Sequence, residues 1–98
     1  MTKKAIIIGA TSGIGKELAD IFILKGYTVG LAGRRTCLLD DLKKKNPDRF
    51  FTKYLDVSQT AKAINQLKEL IAEMKGVDII VIIHSVISHC AYFIIIYY

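Results

Sequence analysis

Lys3-Lys4-Ala5-Ile6-Ile7-Ile8-Gly9-Ala10-Thr11-Ser12-Gly13-Ile14-Gly15-Lys16 runs an apolar stretch straight into a bend rich in glycine. An apolar run closed by Gly9 predicts a short buried strand over Lys3 to Ile8. A helix follows almost at once, because Ile14, Leu18, Ile21 and Phe22 recur at helical spacing and Gly26 stands where a left-handed C-cap is expected. Strand, bend and helix in direct succession leave no room for a hairpin, so the next strand must run parallel to the first.

The same alternation continues outward. Tyr27 to Ala32 predicts a second strand, ended by Gly33. Thr36 predicts the cap of a second helix carrying Leu38, Leu39 and Leu42, and Asn46-Pro47 ends it because proline drives the preceding residue out of the helical region. Arg49 to Leu55 predicts a third strand. Ser58 predicts the N-cap of the longest helix, with Ile64, Leu67, Ile71 and Met74 along its apolar stripe and Gly76 at its end. Val77 to Ile83 predicts a fourth strand, whose β-branched run suits burial on both faces. The expected fold is α/β: a parallel sheet of about four strands with right-handed crossovers and three helices.

Composition excludes several classes of function. The chain has 98 residues, 52% of them hydrophobic, and a formal net charge of +5. That length supports one modest core and not a two-domain enzyme, and the apolar fraction excludes a disordered chain. Lys and Arg are scattered; Lys43-Lys44-Lys45 reads as a solvated helix end that suits the backbone dipole, so no nucleic-acid partner is expected. Cys37 and Cys90 form no CxxC pair, which argues against a zinc or thioredoxin-like site and for reduced thiols in the cytoplasm. The apolar run after Lys4 stops at Gly9, short of a secretory segment of about 7 to 15 residues.

Composition then changes abruptly. From Ile79 to Tyr98 there is no Lys, Arg, Asp, Glu, Gly or Pro. That stretch reaches the length of a membrane span, about 20 residues. His84, Ser85, Ser88 and His89 interrupt it and no cation follows, so a strand followed by an atypical uncharged tail is the preferred reading over a membrane anchor. The organisation expected is one domain over residues 1–83 and an atypical uncharged tail over 84–98. Ala91 to Tyr98 also has the composition of an aggregating segment.

The glycine bend carries the chemistry. Absent side chains let a phosphate approach the backbone, and the unpaired N–H groups at a helix start attract the anion. The spacing is G-x-x-x-G-x-G. It is not a Walker A loop, which needs about four residues between its glycines and a Ser or Thr after its Lys, where this chain has Glu17. Nor is it G-x-G-x-x-G. Gly9-Ala10-Thr11-Ser12-Gly13-Ile14-Gly15 resembles, residue by residue, the motif of the short-chain dehydrogenases/reductases. Arg34 and Arg35 after the second strand, Asp56-Val57 after the third and Asp78 opening the fourth stand at the places that family leads one to expect.

The resemblance implies a partial Rossmann, or doubly wound, sheet in order 3-2-1-4, with residues 1–83 as an NADP(H)-binding half-domain and strand four at an open edge, where self-association or aggregation would follow. It also implies a nicotinamide dinucleotide cofactor and a small carbonyl or alcohol substrate. Gly9, Ser12, Gly13, Ile14 and Gly15 would hold the pyrophosphate, and Asp56 with Val57 the adenine. An acid about 20 residues beyond the bend would select NAD, whereas this chain has Gly33-Arg34-Arg35, so NADP(H) is expected, with Arg34 on the 2′-phosphate and Arg35 beside it. Asp78 is expected to be structural. The family's tyrosine with a lysine four residues on, which moves the proton, has no counterpart: the last lysine is Lys75 and no tyrosine has a lysine at that offset. Ile83-His84-Ser85-Val86 also departs from the family's Asn-rich, glycine-containing stretch. His84 and His89 lack nearby acids, so no metal is expected, and Ser85 and Ser88 lack a base. The reading is the N-terminal part of an NADP(H)-dependent short-chain oxidoreductase, a fragment stopping before the catalytic residues, with a frame lost near His84 as one explanation. A non-catalytic nucleotide-binding module or pseudoenzyme is the alternative, and a membrane-tethered protein the third.

Overall fold

A computed structural model describes residues 3–9, 13–56, 58–86 and 91–97. The elements are β1 (Lys4–Ile8), α1 (Gly13–Leu24), β2 (Thr28–Gly33), α2 (Thr36–Lys45), β3 (Phe50–Tyr54), α3 (Thr60–Met74), β4 (Ile79–Val86) and β5 (Ala91–Tyr97). One sheet contains all five strands in order β3-β2-β1-β4-β5. The first four are parallel, as the short strand-helix connections require. β5 returns antiparallel along β4, with Ile80 opposite Tyr97 and Val86 opposite Ala91.

The period-two alternation of the strands builds two cores. On one face Ile7, Val29, Leu31, Phe50, Val81 and Ile83 meet Ala19 of α1 and Leu39 and Leu42 of α2. On the other, Ile6, Ile8 and Ala32 meet Leu70 and Met74 of α3. Consecutive residues Ile6, Ile7 and Ile8 thus serve opposite cores, which is why the first strand is apolar throughout.

Local chemistry sets the element ends. At the end of α1 the Tyr27 amide donates to the Phe22 carbonyl at 2.9 Å and the Gly26 amide to Ile23 at 3.0 Å, with Gly26 at φ +89. This is the double-bonded glycine cap expected there, and its usual apolar contact is the Phe22–Tyr27 ring pair, centroids 4.9 Å apart. Arg49 adds its guanidinium, donating to the Tyr27 carbonyl at 2.5 Å. Asp78, at the opposite end of the sheet from the glycine bend, accepts the Lys4 amide at 2.8 Å and returns its own amide to the Lys4 carbonyl at 2.8 Å. Its role is structural, as expected.

Five expectations are corrected. Thr36 lies inside the first turn of α2; Arg35 is the N-cap and its carbonyl receives the Leu38 and Leu39 amides, without a side-chain cap. Ser58 does not cap α3, because its hydroxyl and amide are both engaged by Asp56; Gln59 is the N-cap. Ile64 is 49% exposed, while Leu70, left out of the predicted stripe, is fully buried: the face turned to the sheet carries Ala63, Leu67, Leu70 and Met74. The left-handed residue ending α3 is Lys75, at φ +62, one position before Gly76. Finally, β4 runs on to Val86 and β5 covers its outer edge, so strand four is not open; β3 and β5 form the sheet edges. No described helix is long and apolar enough to cross a membrane, and the uncharged stretch supplies strands.

Candidate functional site

Parallel register brings the chemistry to one end of the sheet. Ile8 lies beside Ala32 on one side and Ile82 on the other, and Gly33 lies beside Tyr54. The residues that follow these strands, Gly9, Arg34 and Asp56, therefore emerge together where each strand hands over to its connection. In an open parallel sheet this is where ligands bind.

Gly9 makes the bend possible in two ways. Its φ of +93 is one that residues with a Cβ rarely adopt, and a Cβ built on it would stand 2.7 Å from the Ile83 carbonyl oxygen. Its amide donates to the Ala32 carbonyl at 2.9 Å, which ties the bend to β2 as well as to β4. Gly13 and Ile14 open α1, and Gly15 in its first turn is buried. α1 begins at Gly13, shortly after the end of β1, and the partial charge at a helix N-terminus favours an anion. Ser12 and Val57 lie outside the described residues, as do Ser88 and His89.

Arg34 and Arg35 are both exposed, and neither forms an ion pair among the described residues. Asp56 is different. Its Oδ1 accepts the Ser58 hydroxyl at 2.7 Å and the Ser58 amide at 3.0 Å. The hydroxyl contact first, then the amide, hold this carboxyl below the ordinary aspartate range; the nearby Arg34 charge works in the same direction against some desolvation. The structure thus brings Arg34 within electrostatic reach of Asp56. Ser58 is the member of this group that pattern reading misplaced. The Asp-x-Ser spacing that signals an Asx turn was its available signature. No three His, Cys, Asp or Glu side chains gather as a metal site among the described residues.

A model of the short chain dehydrogenase family matches residues 3–89. The chain belongs to the short-chain dehydrogenase family. Among the relatives of this short-chain dehydrogenase segment is nodulation protein G of a Rhizobium species, 37% identical over 81 residues, covering 81% of this chain and 32% of that protein. The NADP-dependent 3-hydroxy acid dehydrogenase YdfG of Escherichia coli O6:H1 is 36% identical over 76 residues, covering 78% of this chain and 31% of that enzyme. A 3-ketoacyl-(acyl-carrier-protein) reductase from Brucella melitensis, solved with NADH, superposes with a TM-score of 0.73 at 26% identity, over 80% of this chain and 32% of its own. The chain therefore spans about a third of the length of these curated relatives. The parallel part of the sheet, in order 3-2-1-4 with three helices, is the fold expected, and solved short-chain dehydrogenases superpose on it.

Proposed function

We propose that this short-chain dehydrogenase segment binds NADP(H) across the strand ends. Gly9, Ser12, Gly13, Ile14 and Gly15 would line the pyrophosphate, Arg34 with Arg35 the 2′-phosphate, and Asp56 with Val57 the adenine. The observation that carries the reading is the bend itself: Gly9 at φ +93, wedged against the Ile83 carbonyl oxygen at the entrance to α1. The residues fit the group. Neither guanidinium forms an ion pair among the described residues, arginine and not an acid directly follows Gly33, and the second oxygen of Asp56 receives no hydrogen bond among the described residues.

Bound here, the cofactor would supply hydride to, or accept it from, a carbonyl or alcohol carbon, as its chemistry dictates. This chain's own part is to bind and orient. Residues 1–98 contain no tyrosine followed four places on by lysine, so the proton that accompanies hydride has no family donor here, and turnover by these residues alone is not expected. A cytoplasmic setting accords with the free, exposed thiol of Cys37. Self-association is now expected through β5, whose outer edge is unpaired and whose sequence is uncharged.

Calorimetric titration with NADPH and NADH tests the reading. NADPH should bind more tightly. Arg34→Ala should cut NADPH affinity by roughly 10- to 100-fold, the worth of one charge-assisted contact, while leaving NADH nearly unaffected. Gly13→Val should abolish both. Indifference of the folded parent to millimolar NADPH would remove the proposal. Tight binding by a stable monomer would favour a non-catalytic nucleotide module over part of an enzyme.

A further inference from the structure

Asp56 has its Oδ1 bound twice by one residue, through the Ser58 hydroxyl at 2.7 Å and the Ser58 amide at 3.0 Å. A carboxylate held by a single donor can pivot about its Cβ–Cγ bond. One gripped at the same oxygen by two donors from different directions cannot pivot without losing both. The grip is local and short: Asp56 follows β3 directly, Leu55 still donates its amide to the Gly33 carbonyl at 3.0 Å, and the Gln59 amide donates to the Asp56 carbonyl at 3.0 Å. Backbone and side chain of Asp56 are thus both fixed at the site end of the sheet. Oδ2 remains without a hydrogen-bond donor among the described residues.

We infer that Ser58 is a positioning residue, which locks the Asp56 carboxylate so that its second oxygen can tell an amino group from an oxo group on the purine ring. This inference rests on the proposed adenine contact of Asp56. The chemistry is specific. The adenine C6 amino group donates to a carboxylate, whereas hypoxanthine presents a C6 oxygen that a fixed carboxylate repels. A carboxylate free to swing could turn away from that oxygen and accept the neighbouring ring N–H instead. Discrimination therefore depends on Ser58 holding Asp56 still, and not on the presence of a carboxylate alone.

The test compares binding of NADPH with that of its deamino analogue, in which hypoxanthine replaces adenine, to the full chain. The parent should prefer NADPH. Ser58→Ala should lower that preference roughly threefold to tenfold, the worth of a hydrogen bond of ordinary strength, and Ser58→Thr, which keeps the hydroxyl, should restore it. The Asp56 carboxyl, followed by NMR, should titrate at higher pH in Ser58→Ala than in the parent. A Ser58→Ala protein that weakens both ligands equally, or that keeps the parent's preference while Asp56→Ala loses it, overturns the role of Ser58 and leaves the adenine contact standing. A parent with no preference at all overturns the adenine contact and this inference with it.

Discussion

The carbonyl oxygen of Ile83 on β4 lies 2.7 Å from the place a Cβ on Gly9 would occupy. The fourth strand and the glycine bend are therefore fitted to each other through bare backbone. Gly9→Ala must both hold an unfavourable φ and push a strand carbonyl aside. The expected loss is about 2 to 4 kcal/mol of folding stability, read from the denaturant midpoint, together with loss of NADPH binding. A variant as stable as the parent would show that the close approach does not exist.

Gly30 tells a parallel story in the core. A Cβ there would stand 2.6 Å from the Met74 sulfur, 3.1 Å from Ile6 and 3.2 Å from Leu70. Helix α3 sits so low on β2 that only hydrogen fits between. Gly30→Ala should cost about 1 to 3 kcal/mol. Met74→Ala should cost more alone, but the double variant should lose at least about 1 kcal/mol less than the two single losses together. Strict additivity in that cycle would contradict the packing.

Lys75 ends α3 at φ +62, a conformation that a residue with a Cβ adopts at a cost. Lys75→Gly should stabilise the fold by about 0.5 to 1 kcal/mol. The carbonyl that accepts the Lys4 ammonium at 3.0 Å belongs to the backbone and survives the change. Urea unfolding should move to a higher midpoint at unchanged slope; a lower midpoint would mean that the lysine stem contributes more than its backbone costs.

Lys53 on β3 reaches Glu73 at 2.9 Å and Glu69 at 3.5 Å on α3. The Glu73 hydrogen bond above all, with the charges of both glutamates, raises its pKa despite partial desolvation. A raised lysine pKa means that the folded state holds the proton more tightly than the unfolded one. The contribution is whole at neutral pH and is lost as pH climbs above about 10 through the folded-state value. Both glutamates are largely solvated, so Lys53→Met should cost less than about 1 kcal/mol at pH 7, and that difference should shrink in molar salt and in strong alkali. A cost that persists under both conditions would assign Lys53 a packing role instead.

The resemblance carried by the glycine bend supplied the strand order and the end of the sheet that holds Gly9, Arg34 and Asp56, while the alternation of apolar runs, helical stripes and glycine turns was enough to determine the four parallel strands and the three helices. These elements follow from spacing along the chain. Periodicity says which face of an element is apolar but not where its neighbour sits, so the stripe of α3 was displaced onto Ile64 and Leu70 was missed. Capping hydroxyls look alike in one dimension: Ser58 was assigned to a helix end, whereas in space Asp56 claims it. The left-handed turn at Lys75 went unseen because the adjacent Gly76 is the residue that statistics favour there. Only three dimensions could decide that Ala91–Tyr97 runs back along Ile79–Val86, because an uncharged run satisfies a strand, a hairpin or a membrane equally until its backbone groups find partners. The approach of Ile83 to Gly9 and of Met74 to Gly30 is likewise a property of facing surfaces, written in distances between residues far apart in the chain.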